Sequence, residues 1–122
     1  MPDFSGQYRV DDSWLTVGSA DEVIGRVAQA LGVPPPPARE PLETDLGSRL
    51  AMRSMGLLLP PRKVPIRLII EFVQRNQGTQ LMVRAISNQG WYAMSPSRFT
   101  DRVYDRAFGE LLETLRQAAP PA

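Results

Sequence analysis

The segment RLIIEFVQRNQGTQLMVRAIS, residues 67–87, limits the fold more than any other part of the sequence. Apolar residues recur at alternate positions on both sides of a polar centre, which is typical of two β-strands joined by a tight turn. A two-residue turn at Gln77-Gly78, or the equivalent four-residue loop, places Phe72 opposite Val83, whereas a three-residue loop would oppose apolar side chains to charged ones. The segment therefore predicts an antiparallel hairpin with one almost wholly apolar face.

The second face of this hairpin also carries apolar side chains, arranged around a predicted cross-strand ion pair of Glu71 with Arg84. Contiguous exposed apolar area tends to mark an interface, and a second copy is the simplest partner because most soluble oligomers are symmetric homo-oligomers. The alternative is that the amino-terminal segment or the loop after Leu57 folds across this face. The candidate interface residues are Ile69, Val73, Met82, Ile86, Arg67, Arg84 and Glu71.

Two amphipathic helices are predicted, one before and one after the hairpin. The tetrad Ser19-Ala20-Asp21-Glu22 matches a capping box, an apolar stripe follows it at helical spacing, and Gly32 is a typical helix stop. Near the carboxyl end, Ser95-Pro96 is typical of a helix start and precedes about 20 residues with a broad apolar stripe. Both stripes favour docking of the helices on the apolar face of the sheet.

Additional strands are predicted outside the hairpin. Trp14 to Val17 is a short apolar run typical of a strand, and residues 91–94 favour a short last strand or its turn. Residues 48–54 are compatible with a strand or a helix, and we favour the strand because its side chains would then alternate.

The combined pattern predicts an α+β fold. We expect an antiparallel sheet of about four to five strands, in the order β-α-β-β-β-(β)-α, packed on one face by an N-terminal helix and a long C-terminal helix. The length fits one domain over residues 1–122, with 33–42 as a proline-rich connector and 118–122 as a flexible tail.

The composition excludes several chemistries. The sequence contains no Cys and no His, so disulfides, thiolate nucleophiles, sulfur or imidazole metal ligands and the commonest general base are all excluded. The formal net charge of +1 provides no field to attract nucleic acid or anionic lipid. No signal-peptide pattern and no apolar run near the ~20 residues of a membrane span are present, so we expect a cytoplasmic protein. We predict no cofactor, no metal and no nucleic-acid partner.

Two classes of function are compatible with this architecture. The first is a non-catalytic binding or interaction module that self-associates, or docks a protein partner, through the second sheet face. The second is a small carrier or enzyme that binds an apolar ligand between the sheet and the C-terminal helix, in a pocket with Trp91, Tyr92 and Phe99. The order of elements resembles that of helix-grip lipid-binding folds, and this resemblance implies such a pocket. We favour the module, because no second carboxylate is placed near Glu71 for acid/base catalysis.

Arginine residues suggest a third interpretation. Four arginines would share the second face if residues 48–54 join the sheet: Arg49, Arg53, Arg67 and Arg84. Such a cluster suits phosphate or carboxylate groups. Because Glu71 lies among them and no aromatic platform accompanies them, the pattern favours a solvated strand face over an anion site.

Overall fold

Four strands and two helices make up the part of the chain that the computed structural model describes, residues 9–37, 40–47, 64–87 and 98–122. In chain order they are β1 (Arg9–Thr16), α1 (Ala20–Leu31), β2 (Leu42–Leu46), β3 (Ile66–Arg75), β4 (Gly78–Ser87) and α2 (Arg98–Ala118). This order and the antiparallel pairing confirm the predicted α+β class. Within the described ranges, no helix has both the length and the apolar character needed to cross a membrane.

The strands form a four-stranded antiparallel sheet in the order β1-β4-β3-β2. β1 pairs with β4 along all eight of its residues, and β2 pairs with β3 along all five. Among the strands that the structure describes, the β3–β4 hairpin is therefore central, and β1 and β2 are the edge strands.

The edge strands differ from those that the sequence predicts. β1 begins at Arg9 instead of Trp14, and it accommodates two aspartates because each finds an arginine in the folded chain. β2 lies directly after the proline-rich segment, at Leu42–Leu46, where no strand was predicted. The strands predicted at 48–54 and 91–94 lie outside the described residues.

The β3–β4 turn lies one residue earlier than predicted. Asn76 and Gln77 form the turn, so Phe72 lies opposite Leu81 and not opposite Val83. The pairing is shifted by two residues, and such a shift leaves every side chain on the same face of the sheet. Alternation alone cannot distinguish the two registers. The predicted faces are therefore confirmed, whereas the predicted turn and cross-strand partners are wrong.

Gly78 begins β4 at a point where two backbones come close together. Its φ of 150° lies in a region that L side chains rarely adopt, and a Cβ atom at this position would collide with the carbonyl oxygen of Thr16. Thr16 pairs with Thr79 in the β1–β4 ladder, so the close approach is part of the sheet itself. Both the dihedral angle and the available space therefore require glycine.

Both helices pack on one face of the sheet, and this inner face holds the hydrophobic core. Alternate side chains of β3 and β4 are buried there together with the apolar stripes of the two helices. The innermost side chains are Val23, Val27, Leu68, Ile70, Leu81, Ala85, Tyr104 and Leu115. The face that the sequence predicts as the core face is the one that the helices cover.

The capping box predicted at the start of α1 is present. The Ser19 hydroxyl accepts a hydrogen bond from the Glu22 backbone NH at 3.3 Å, and the Glu22 carboxylate accepts one from the Ser19 backbone NH at 3.1 Å. The bonds that Ser19 donates, from its backbone first and then from its side chain, hold the pKa of the Glu22 carboxyl below its ordinary value. The resulting stabilisation is fully present above the ordinary pKa and is lost as the pH falls through the lowered one.

Donors from β1 and α1 hold the carboxyl end of α2. The Trp14 indole NH donates to the carbonyl oxygen of Ala119 at 2.7 Å, and the Arg26 Nε donates to that of Ala118 at 3.0 Å. The last carbonyl groups of a helix have no partners within the helix, and a cation stabilises this end of the helix dipole. The two contacts tie α2 to β1 and α1.

The residues after α2 lie along β1. Ala119 is buried, Pro121 forms a bridge with Thr16, and the Ala122 backbone NH donates to the carbonyl oxygen of Leu15 at 2.7 Å. The segment 118–122 thus has a docking position on the β1 edge, and the flexibility expected from its sequence stays a prediction.

Tyr104 ties α2 to the start of the central hairpin. It is the largest fully buried side chain among the described residues, and its hydroxyl donates to the Pro65 carbonyl oxygen at 2.8 Å. Pro65 is itself buried and directly precedes β3. A polar bond inside the core therefore fixes the position of the helix along the sheet.

We expect Gly78→Ala to lower the free energy of unfolding by at least about 2 kcal/mol, because the added methyl group meets backbone atoms of β1. Gly25→Ala is the matched control. Gly25 is exposed inside α1 with open space around it, so the same change should raise the free energy of unfolding by about 0.5–1 kcal/mol. Urea denaturation followed by circular dichroism measures both, and equal effects would contradict the close approach of β1 and β4.

Tyr104→Phe should lower the free energy of unfolding by about 1–2 kcal/mol, since the buried Pro65 carbonyl loses its donor. Thr114→Val is the comparison, because it removes a hydroxyl that donates to the Glu110 carbonyl one turn earlier in the same helix. We expect that change to cost less than about 0.5 kcal/mol. The same denaturation experiment applies, and wild-type stability of Tyr104→Phe would show that the buried bond does not hold α2 in place.

Candidate interaction surface

The outer face of the sheet is the face turned away from α1 and α2. Its described residues are Arg9, Asp11, Ser13 and Leu15 of β1, Glu43 and Asp45 of β2, Arg67, Ile69, Glu71, Val73 and Arg75 of β3, and Gln80, Met82, Arg84 and Ile86 of β4. All seven residues predicted as an interface lie together on this face.

Apolar side chains on the outer face are less buried than those on the inner face. Met82 is 44% exposed, and Ile69, Val73 and Ile86 are half-buried among their neighbours in the sheet. Val17, which directly follows β1, is 68% exposed. Since both described helices pack on the opposite side, these side chains reach solvent in the described part of the chain.

Arg84 pairs with β1 and not with β3. Its Nε lies 2.9 Å from Asp11 Oδ1, and Arg9 Nε lies 3.1 Å from Asp11 Oδ2. The predicted pair of Glu71 with Arg84 is wrong, because the two-residue shift in the hairpin register puts Glu71 opposite Met82. Arg84 instead finds its carboxylate on the neighbouring edge strand.

Arg67 is held by two carboxylates of β2. Its Nη2 lies 3.2 Å from Glu43 Oε1, and its Nη1 lies 3.2 Å from Asp45 Oδ1. The side chains in the ion pairs of this face are 47–60% exposed, so each pair contributes at most about 1 kcal/mol to stability. Their larger effect is on the charge of the surface, because three arginines and three carboxylates cancel one another.

Glu71 and Arg75 do not take part in the ion pairs of the outer face. Among the residues that the structure describes, Glu71 makes no ion pair and Arg75 meets no carboxylate. Arg75 donates from Nε and Nη2 to Gln80 Oε1 at 3.1 and 2.9 Å, and the Gln80 amide donates to Ser13 Oγ at 2.9 Å. These neutral partners orient the guanidinium without cancelling its charge.

An open groove of about 490 Å³ crosses β1, β4 and β3 on the outer face. Glu71, Met82 and Ile69 line it together with Asp11 and Ser13. Small-molecule sites usually enclose most of their ligand, whereas protein interfaces are broad and shallow. The shape of this surface therefore suits another protein surface better than a small ligand.

The predicted ligand pocket between the sheet and the C-terminal helix stays a prediction. Trp91 and Tyr92 lie outside the described residues, and Phe99 is described by its backbone in α2 but not by its side chain. The groove that described residues form between α1, the β2–β3 edge and α2 has a volume of about 230 Å³. This is smaller than the roughly 300–1,000 Å³ typical of ligand pockets.

The arginine cluster considered as an anion site is also only partly described. Arg67 and Arg84 are engaged by carboxylates, and Arg49 and Arg53 lie outside the described residues. In the described ranges, no group of three or more carboxylates, His or Cys is placed to hold a metal ion.

Sequence reasoning missed what the two edge strands contribute to this face. Asp11, Glu43 and Asp45 neutralise its arginines, and none of the three was assigned to a strand. The signal was present as alternation in LETDL and, more weakly, in RVDDSWLT. Prolines precede LETDL, and RVDDSWLT contains two adjacent aspartates. Both residue types are depleted in strands, so the alternation was not recognised as a strand pattern.

No family model, curated protein or solved structure matched the chain in comparisons with known proteins. What the outer face does is inferred from its own geometry and charges.

Proposed function

We propose that the chain is a non-catalytic interaction module that self-associates through the outer face of its sheet, with a second copy of the chain as the occupant. The observation that carries this proposal is the exposure of Met82 on the side opposite the helices, next to three half-buried apolar residues of β3 and β4. Covering such a surface contributes roughly 25 cal/mol for each Å² of apolar area removed from water.

The charges of the outer face favour a second copy over a polyanion. The four arginines among its described residues are balanced by four carboxylates, so this surface has no net field to attract nucleic acid or an anionic membrane. Arginine among apolar side chains is common at protein interfaces. A face with equal numbers of both signs can complement itself in a symmetric pair.

The size of the face predicts a modest affinity. At about 3.3 Å per residue and about 4.8 Å between strands, the four strands cover roughly 500 Å² in each copy. Complete overlap of two such faces would reach the ~1,000 Å² lower limit of specific interfaces, and partial overlap gives the smaller contact of a transient complex. We therefore expect a reversible dimer whose population depends on protein concentration.

Replacing Met82→Lys together with Ile86→Glu should convert this dimer to monomer and preserve the fold. Each new charge would lie beside an opposite one in the monomer, because Met82 is opposite Glu71 and Ile86 is opposite Arg67. Sedimentation velocity up to about 100 µM should show a concentration-dependent mass for the wild type and at least about tenfold weaker association for the variant. Circular dichroism checks that the variant is folded.

The matched control places the same two charges on α1, with Gln29→Lys and Ala30→Glu. Both positions are exposed and lie on the helix side of the sheet, so association should not change. A wild type that stays monomeric at about 100 µM would contradict the proposal, as would a Met82→Lys/Ile86→Glu variant that associates as strongly as the wild type. If the chain is monomeric and binds a different protein through this face, the proposal of self-association is wrong and that protein is the partner.

A further inference from the structure

We infer that two copies meet about a two-fold axis that crosses β3 at Val73, so that Glu71 of each copy pairs with Arg75 of the other. This inference rests on the proposed self-association and specifies its register. It starts from the two charged side chains of the outer face that make no ion pair with a described residue, Glu71 and Arg75.

The charge pattern of the outer face leaves one anion and one cation available. Its other described arginines each have a carboxylate oxygen within 3.2 Å. Arg75 is instead oriented by Gln80, and a guanidinium that is already oriented loses less side-chain entropy when it binds a carboxylate. A complementary partner must offer a cation to Glu71 and an anion to Arg75. A second copy of the same face offers both.

The positions of the two residues determine the symmetry. Glu71 and Arg75 lie on the same face of β3, four residues apart, so their Cα atoms are separated by roughly 13 Å. Two side chains at that separation along one strand do not pair with each other. A two-fold axis parallel to the sheet and perpendicular to β3, midway between them, exchanges the two positions. Val73 is that midpoint, and the resulting dimer has two identical ion pairs.

The residues along this axis are suited to contact their own copies. Val73 lies opposite Gln80, and Gln80 lies opposite Leu15, so the row crosses three strands without a charged side chain. Met82, which is 44% exposed, flanks the row on one side. The axis thus lies near the turn end of β3 and β4, so the two copies overlap at this end of the face and not along its whole length. The facing charges in the overlap are of opposite sign.

The register also predicts which of the two substitutions, Met82→Lys or Ile86→Glu, weakens association more. Ile86 lies opposite Arg67, which is six residues from Val73 along β3, so it is roughly 20 Å from the axis. Met82 lies opposite Glu71, only two residues from Val73. Met82→Lys alone should therefore account for most of the weakening, and Ile86→Glu alone for little of it.

Exchange of the two charges tests the register. Glu71→Arg makes the facing groups both positive, and Arg75→Glu makes them both negative, so each variant alone should dimerise at least about tenfold more weakly than the wild type. An equimolar mixture of the two should recover association as a heterodimer, because every facing pair then has opposite charges. The double variant Glu71→Arg/Arg75→Glu should return to wild-type affinity. Sedimentation velocity with one variant labelled detects the heterodimer, and circular dichroism confirms folding.

Asp105→Arg and Arg106→Glu provide matched charge reversals on exposed positions of α2, and they should leave association unchanged alone or mixed. If a charge reversal prevents folding, Glu71→Gln and Arg75→Gln remove the charges with less disturbance, and each should still weaken association by a smaller factor. A wild type that dimerises while the mixed variants form no heterodimer would overturn this register and leave self-association standing. A wild type that stays monomeric would overturn both.

Discussion

β3 and β4 pair along ten residues each, and both edge strands hydrogen-bond to this hairpin. Successive side chains of the hairpin point to opposite faces, so one set lies under the helices and the other set lies on the outer face. The same alternation therefore determines which residues form the core and which form the surface. A slip of one residue would place Arg84 in the core and leave Leu81 in solvent. The bond from Tyr104 to Pro65 adds a fixed point for α2 at the start of the same hairpin. The packing of the helices and the composition of the outer face both follow from this pairing.

The carboxyl end of α2 explains how an edge strand with two aspartates stays in the sheet. Arg116 pairs with Asp12 and lies with its guanidinium carbon 5.2 Å from the centre of the Trp14 ring, while the Trp14 indole bonds the helix end. These contacts anchor the inner side of β1 to α2. On the outer side, Asp11 is then held within reach of Arg84. An interaction with the helix layer thus positions a carboxylate on the opposite face of the sheet.

The binding properties of the outer face depend on the charged side chains that stay unpaired within the described part of the chain. Most of its charges are cancelled by cross-strand partners, which are individually weak because they are solvated. Cancellation nevertheless changes what the surface can recognise, since a neutral mosaic of apolar and paired side chains attracts no polyanion. The remaining carboxylate and guanidinium lie on one strand with an apolar residue midway between them. This arrangement is the basis for proposing a second copy of the chain as the partner.

Local patterns in the sequence determined the hairpin, the two faces of its strands and the capped start of α1, because each depends on residues a few positions apart. They also placed Ile69, Met82 and the other predicted interface residues on one face. Only the tertiary structure decided the register of the hairpin, since a shift of two residues keeps every side chain on the same face. The positions of β1 and β2 also depend on the tertiary structure, since each edge strand forms by pairing with a strand that is distant in the sequence. The ion pairs followed from those two decisions. The sequence around an arginine does not show which strand will place a carboxylate beside it. The set of charges that stay unpaired is therefore a property of the folded sheet.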